Sequence, residues 1–115
     1  HCQIWATESV PGELLKESTL QRQYFLERET VLLRDYLELE MQSRDRLISH
    51  NDEFAVLVPF WAVWPFETII LPFRPVPSLL EMDEEQQFAL AEILSDITAR
   101  YDRVFDAPFP YSMGF

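Results

Sequence analysis

The sequence is short of cysteine, glycine and positive charge, and these shortages exclude several classes of protein. It contains one cysteine and two glycines, and its 9 lysines and arginines face 20 acidic residues, for a formal net charge of -11. A single cysteine cannot form an internal disulfide, so we expect a reducing, cytoplasmic location. Without a cluster of cations the chain lacks the surface that binds a phosphate backbone, and we expect no nucleic-acid partner.

Long apolar runs and the common nucleotide-binding motifs are absent as well. No apolar run approaches the roughly 18 residues that a membrane span requires, so no membrane partner is expected. The chain has no Walker-type loop, Rossmann glycine pattern, paired-cysteine zinc motif or Gly-x-Ser-x-Gly elbow. Hydrophobic residues nevertheless make up 48% of the sequence and aromatic residues 14%, which favours a packed core over a disordered chain.

Alternation and helical spacing divide the chain into strands and helices. Period-two patterns and turn residues predict strands at 1–6, 46–50, 54–60, 66–73 and 109–115. Apolar residues at i, i+3 and i+4 predict helices at 13–29, 30–41 and 84–105. Short hairpin connections favour an antiparallel sheet with helices packed on it, an α+β fold.

Cap residues mark two of the predicted helix starts. Thr30 is a candidate N-cap for the second helix, and Asp83 with Gln86 resembles a capping box at the start of the third. At the two ends, the chain begins at His1 and stops inside the apolar run 109–115. Neither end resembles a natural domain boundary, so we expect residues 1–115 to be a single fragment of a longer protein.

Residues with side chains suited to catalysis or metal binding say little about function when each is considered alone. An isolated histidine such as His1 or His50 is more often a surface or satisfied core residue than a catalytic one. Cys2 suits a small buried hydrophobe, and Glu17 suits an ordinary helix glutamate. The two tryptophans of segment 61–65 suit either a partner hot spot or, more often, core or lid packing. From the residues alone, the chain is an α+β fragment of unknown function.

Three segments, taken together and in order, resemble the galactose-1-phosphate uridylyltransferase family of the histidine-triad superfamily. Residues 1–6, HCQIWA, resemble the end of its His-Pro-His-x-Gln-x-Trp-Ala motif. Residues 59–72, PFWAVWPFETIILP, resemble its Trp-Pro-Phe-Glu-Thr segment, and residues 100–115, RYDRVFDAPFPYSMGF, its Arg-Tyr-Asp…Phe-Pro-Tyr-Ser-Met-Gly segment. The resemblance implies a histidine-triad-like fold running from the end of the nucleophile motif into the start of the C-terminal half.

The same resemblance implies a nucleotidyltransferase of galactose metabolism that exchanges UMP between UDP-glucose and galactose 1-phosphate. It implies that His1 is the catalytic nucleophile and that Gln3 is the substrate-binding glutamine of the motif. A largely neutral imidazole can attack a phosphorus atom without a strong base. The Gln3 amide can donate to a phosphoryl oxygen but cannot act as an acid or base, which favours transfer over hydrolysis.

Metals and partners are likewise implied by the family. The resemblance implies zinc, with most ligands outside these residues, and places Glu17 where the family has a ligand for a second metal, iron or zinc. Members act as homodimers with sites built from both subunits, so we expect this fragment alone to be inactive. Phe73 and Pro75 depart from a basic-and-histidine pattern after the strand, which argues against a phosphate contact by that loop.

Two other functions remain open. An ADP-glucose or dinucleotide phosphorylase of the same superfamily would keep His1 and change the base pocket. An inactive, truncated dimerisation module would need neither His1 nor Gln3, and the presence of both argues against that alternative.

Overall fold

The computed structural model describes residues 3, 4, 6 and 8–114, and the described part is an α+β fold, as predicted. The helices and strands, in chain order, are α1 (Gly12–Arg28), α2 (Leu32–Ser43), β1 (Leu47–His50), β2 (Phe54–Leu57), β3 (Ile69–Pro72) and α3 (Glu84–Val104). A single 3₁₀ turn, Leu79–Glu81, precedes α3.

The strands form one antiparallel sheet with β2 in the centre, in the order β1-β2-β3. The predicted turn between β1 and β2 is held by Asn51, whose Oδ1 accepts hydrogen bonds from the backbone N–H groups of Glu53 and Phe54 at 3.2 and 2.9 Å. The Asn51 side chain also donates to the carbonyl oxygen of Ala89, at 2.8 Å. One turn residue therefore closes the hairpin and attaches it to α3.

The core lies on both faces of β2, because successive strand residues point to opposite sides of the sheet. Phe54 and Val56 pack on α3, in a cluster completed by Ala89, Ile93 and Ile97. Ala55 and Leu57 face the other way and pack with Leu37 of α2 and Leu71 of β3. A strand covered on both faces must be apolar at every position, which explains the continuous run Phe54–Leu57.

The start of α3 follows the predicted capping pattern, whereas the start of α2 does not. Oδ1 of Asp83 accepts a hydrogen bond from the backbone N–H of Gln86 at 2.8 Å. The prediction for Thr30 was wrong: the N-cap of α2 is Val31, which has no side-chain cap. The Thr30 hydroxyl instead donates to Oδ1 of Asp35, at 2.8 Å. Its hydrogen-bonding capacity is thus used by a side chain within the helix.

Two predicted strands are absent from the described residues. Gln3, Ile4 and Ala6 are not in a strand, nor are residues 109–114, because none of them pairs with a neighbouring strand. Residues 1, 2, 5 and 115, which complete those two predictions, lie outside the described part of the chain.

Helix α1 has no buried residue, although it spans 17 residues. Its leucines are exposed, and among the described elements it packs chiefly on α2. No helix in the described ranges is both long enough and apolar enough to cross a membrane.

Candidate functional site

The residues that the sequence nominated lie within the first 17 positions of the chain. His1, the candidate nucleophile, lies outside the described residues. Gln3 is exposed in irregular backbone. Glu17 is exposed near the start of α1, and no hydrogen bond or ion pair joins it to Gln3 within the described part of the chain. The described structure therefore links neither residue to the other by a polar contact.

Glu17 does not by itself make a metal centre. A structural metal site in a protein draws several ligands from different parts of the chain. Among the described residues, no group of three or more histidine, cysteine, aspartate or glutamate side chains is placed to hold a metal. Any metal at Glu17 therefore needs ligands from outside the described residues.

Residues 59–67, between β2 and β3, form an exposed loop that we call the aromatic loop. Its large apolar side chains point into solvent: Phe60, Trp61, Val63, Trp64 and Phe66 are between 49% and 80% exposed. Of the two interpretations of its tryptophans, core packing is therefore wrong.

Glu67 holds the middle of the aromatic loop in one shape. Its Oε2 accepts hydrogen bonds from the backbone N–H groups of Val63 and Trp64, at 3.0 and 3.2 Å. The backbone N–H of Glu67 in turn donates to the carbonyl oxygen of Trp64, at 3.2 Å. Two of these bonds join the Glu and the Trp of the Trp-Pro-Phe-Glu-Thr segment. The sequence alone did not reveal this structural role.

Tyr36 of α2 and Arg46, the residue before β1, support the start of the aromatic loop. The Tyr36 hydroxyl accepts a hydrogen bond from the backbone N–H of Phe60, at 3.0 Å, and the Tyr36 ring lies 4.8 Å from that of Trp61. Arg46 lies over the Phe60 ring, 5.1 Å from its centroid, in a cation–π contact. Burial raises the pKa of Tyr36; the bond from Phe60 opposes this, and a hydrogen bond to Glu40 adds to it.

The end of the aromatic loop carries backbone strain. Phe66 has a φ of 65°, in the left-handed region that bulky side chains usually avoid. Its carbonyl oxygen accepts a hydrogen bond from the Tyr101 hydroxyl at 2.6 Å, and its ring packs edge-on against Phe105 and Phe109. Contacts from α3 and from the residues that follow it therefore hold Phe66 in a conformation that it would not adopt alone.

A cavity of about 470 Å³ opens beside this strained residue. Its walls come from β3, from α3 and from residues 111–114. Polar groups at its surface include the hydroxyls of Thr68 and Tyr101, which lie 2.9 Å apart. Glu67 lines the cavity, and no lysine, arginine or histidine is among its described lining residues. The described lining therefore offers a phosphate group no cationic side chain.

The cation nearest the end of β3 is already paired. Arg74 donates to Oε2 of Glu53 at 3.1 Å and to Oδ2 of Asp83 at 3.0 Å. The bond to Glu53, followed by that to Asp83, raises the pKa of Arg74. The pKa of Asp83 is lowered, first by the bond from the Gln86 backbone and also by Arg74.

Comparison with known proteins identifies the family of the chain, which the local geometry does not. The family model described as "Galactose-1-phosphate uridyl transferase, C-terminal domain" matches residues 17–115. The chain belongs to this family. The galactose-1-phosphate uridylyltransferase of Haemophilus influenzae is 44% identical over 115 residues, which cover 100% of this chain and 33% of that protein. The protein of the same name from Kluyveromyces lactis is 43% identical over 114 residues, covering 99% of this chain and 31% of that protein.

Solved structures of the family share the fold. A structure described as that of uridylyltransferase superposes with a TM-score of 0.81 at 28% sequence identity, over 89% of this chain and 32% of that one. A structure of a uridylyltransferase mutant gives the same TM-score of 0.81. The chain thus spans about a third of the length of the curated relatives it matches, at 33% and 31% for the two above.

Proposed function

We propose that the chain is part of a nucleotidyltransferase that exchanges UMP between UDP-glucose and galactose 1-phosphate. The observation that carries the proposal is the alignment with the Haemophilus influenzae uridylyltransferase, which runs over all 115 residues and so includes His1 and Gln3. The family match over residues 17–115 supports the same assignment.

The proposed reaction has two displacements at phosphorus. A ring nitrogen of His1 attacks the α-phosphorus of UDP-glucose; an N–P bond forms, and the P–O bond to glucose 1-phosphate breaks. A phosphate oxygen of galactose 1-phosphate then attacks the same phosphorus, which forms UDP-galactose and frees His1. The Gln3 amide donates a hydrogen bond to a phosphoryl oxygen as negative charge shifts onto it.

We also propose a homodimeric, cytoplasmic enzyme that contains zinc, with Glu17 as ligand to a second metal, iron or zinc. The zinc ligands would lie mostly outside these residues. The single cysteine supports a reducing location. The exposed aromatic loop is consistent with a protein surface that is covered in a larger assembly.

Intact-mass measurement on the full-length protein tests His1. Incubation with UDP-glucose alone should add the mass of one UMP and release glucose 1-phosphate. His1→Asn should abolish the adduct, whereas His50→Asn, which changes an exposed histidine of the hairpin, should retain it. Absence of the adduct in the unchanged protein, or its survival in His1→Asn, would contradict the proposal.

The acceptor separates the two enzymatic alternatives. The uridylylated protein should lose UMP to galactose 1-phosphate and not to inorganic phosphate. Release of the nucleotide to inorganic phosphate would assign the chain to the phosphorylases of the superfamily. If no nucleotide sugar forms an adduct, the inactive dimerisation module is the remaining alternative.

A further inference from the structure

The turn at the end of the aromatic loop has a shape that its residues do not favour. The backbone N–H of Glu67 donates to the carbonyl oxygen of Trp64, at 3.2 Å, which closes a four-residue turn. Pro65 in the second position and a φ of 65° at Phe66 in the third are the pattern of a type II turn. Glycine is the usual residue in that third position, because a side chain disfavours left-handed backbone. Phe66 therefore needs a contact outside the turn to hold it.

The Tyr101 hydroxyl of α3 supplies such a contact. It donates to the carbonyl oxygen of Phe66, at 2.6 Å. A tyrosine hydroxyl has one hydrogen to donate, so the Thr68 hydroxyl, 2.9 Å away, is the donor of the second bond to Tyr101. The carbonyl of Phe66 and the N–H of Glu67 belong to one planar peptide group. By fixing that group, Tyr101 also fixes the N–H that closes the turn.

The ring contact between Phe66 and α3's end does not fix the backbone in the same way. The Phe66 ring packs edge-on against Phe105, with centroids 5.5 Å apart. A side chain can keep an apolar contact through a change of rotamer when its backbone turns. A hydrogen bond to the carbonyl oxygen, in contrast, requires one orientation of the peptide group. The Tyr101 hydroxyl is therefore the contact that selects the left-handed conformation.

Glu67 carries the same constraint further into the aromatic loop. Its Oε2 accepts hydrogen bonds from the backbone N–H groups of Val63 and Trp64, at 3.0 and 3.2 Å, and we call these two bonds the Glu67 brace. The closed turn brings residue 67 back beside residues 63 and 64. Within the described part of the chain, no hydrogen bond joins Tyr101 to the Glu67 side chain. Any effect of Tyr101 on the brace therefore passes through the turn.

We propose that Tyr101, the turn and the Glu67 brace form a latch with two states. The closed state is the one observed, and in the open state Phe66 returns to extended backbone. Rotation of the peptide group between residues 66 and 67 then breaks the bond to Tyr101, the bond that closes the turn and the brace together. Strained residues are characteristic of segments whose conformation matters for function, and this latch sets the orientation of Trp64. All of these contacts lie between residues 63 and 101, and the latch does not depend on the uridylyl chemistry.

Amide hydrogen exchange in the full-length protein, with isotope-labelled valine and tryptophan, tests the latch. Tyr101→Phe removes only the hydroxyl. The N–H groups of Val63 and Trp64 should then exchange about tenfold faster or more, the factor that matches the usual penalty for a left-handed residue. Tyr36→Phe removes the hydroxyl at the other end of the loop and should leave both groups unchanged. The N–H of Val56 in β2 should stay slow in both variants, which reports an intact sheet. Unchanged exchange at Val63 and Trp64 in Tyr101→Phe would overturn the proposal.

A glycine variant separates the latch from ordinary packing. Glycine adopts a positive φ without a steric penalty, so in Phe66→Gly the turn no longer needs Tyr101 to hold it. Adding Tyr101→Phe to Phe66→Gly should therefore change exchange at Val63 and Trp64 by less than about twofold. If Tyr101→Phe accelerates exchange as much beside the glycine as in the unchanged protein, the hydroxyl acts independently of the strain at Phe66 and the proposal is wrong.

Discussion

Glu40 and Arg46 form an ion pair whose two partners differ in burial. Nη1 of Arg46 donates to both carboxylate oxygens of Glu40, at 2.9 and 3.2 Å. The Glu40 side chain is 5% exposed and that of Arg46 is 36% exposed. Water can therefore reach the guanidinium if the pair is broken, but it has little access to the carboxylate.

Removing the arginine should cost more stability than neutralising the glutamate. Arg46→Met leaves a buried carboxylate without its cation, and we expect a loss of about 1–3 kcal/mol in the free energy of unfolding. Glu40→Gln leaves a guanidinium that water can solvate, and its cost should be smaller. Urea unfolding of both variants measures the difference. Equal losses would show that the unequal burial does not matter.

Asp96 links α3 to β1 and should make stability depend on pH in acid. The Ser49 hydroxyl donates to Asp96 at 2.7 Å and Nε of Arg100 does so at 2.9 Å. The Ser49 bond, followed by the Arg100 bond, lowers the pKa of Asp96 below its ordinary value of 3.8. A lowered folded-state pKa contributes stability above the unfolded value, and this is lost as the pH falls through the folded value.

Ser49→Ala should therefore raise the pKa of Asp96 toward 3.8. The stability difference between the unchanged protein and this variant should narrow as the pH falls below that value, since protonated Asp96 gains less from the hydroxyl. NMR titration of the Asp96 carboxyl and thermal melts across this range measure both effects. Ser95→Ala, one residue away on the same helix, is the control and should leave the titration unchanged.

Gln3 should act as a hydrogen-bond donor in the transition state of the proposed reaction. In the full-length enzyme, Gln3→Glu places a negative charge beside a phosphate and should lower kcat by at least about 10²–10³-fold, the usual cost of losing one such donor. Gln3→Met removes the amide without adding charge, and should also lower kcat. Normal turnover in the methionine variant would reduce Gln3 to a packing residue.

Glu17 should matter for metal content more than for chemistry. In the full-length protein, we expect Glu17→Ala to lower bound metal per subunit and the melting temperature, while activity falls only in part, because the transfer needs no redox step. Elemental analysis beside a thermal melt measures this. Glu27→Ala, which changes another exposed glutamate of α1, is the matched control. Unchanged metal content would make Glu17 an ordinary surface residue, and total loss of activity with metal retained would contradict a structural role.

The sequence predicted those elements whose determinants are local. The hairpin follows from the turn at Asn51, and α3 from the cap at Asp83 and its apolar stripe. The N-cap prediction for Thr30 failed because a threonine hydroxyl can bond to a nearby side chain as readily as to a helix N-terminus. Here the hydroxyl donates to Asp35.

The parts that could not be predicted depend on partners distant in the chain. A strand needs a neighbour, so alternation at 1–6 and 109–115 could not decide pairing by itself. The bond from Tyr101 to Phe66 joins positions 35 residues apart, and no periodicity points to it. His1 lies outside the described residues, so its proposed role rests on the motif and the alignment alone.

The aromatic loop has a consequence for spectroscopy. Trp61 and Trp64 are 50% and 75% exposed, and no tryptophan is among the buried residues of the described structure. Their indole emission should already resemble that of water-exposed tryptophan in the native protein, and should shift little when the core at Phe54 and Ile93 comes apart. The emission of Trp61 and Trp64 would then be a weak reporter of unfolding, whereas circular dichroism would report the loss of the sheet and helices.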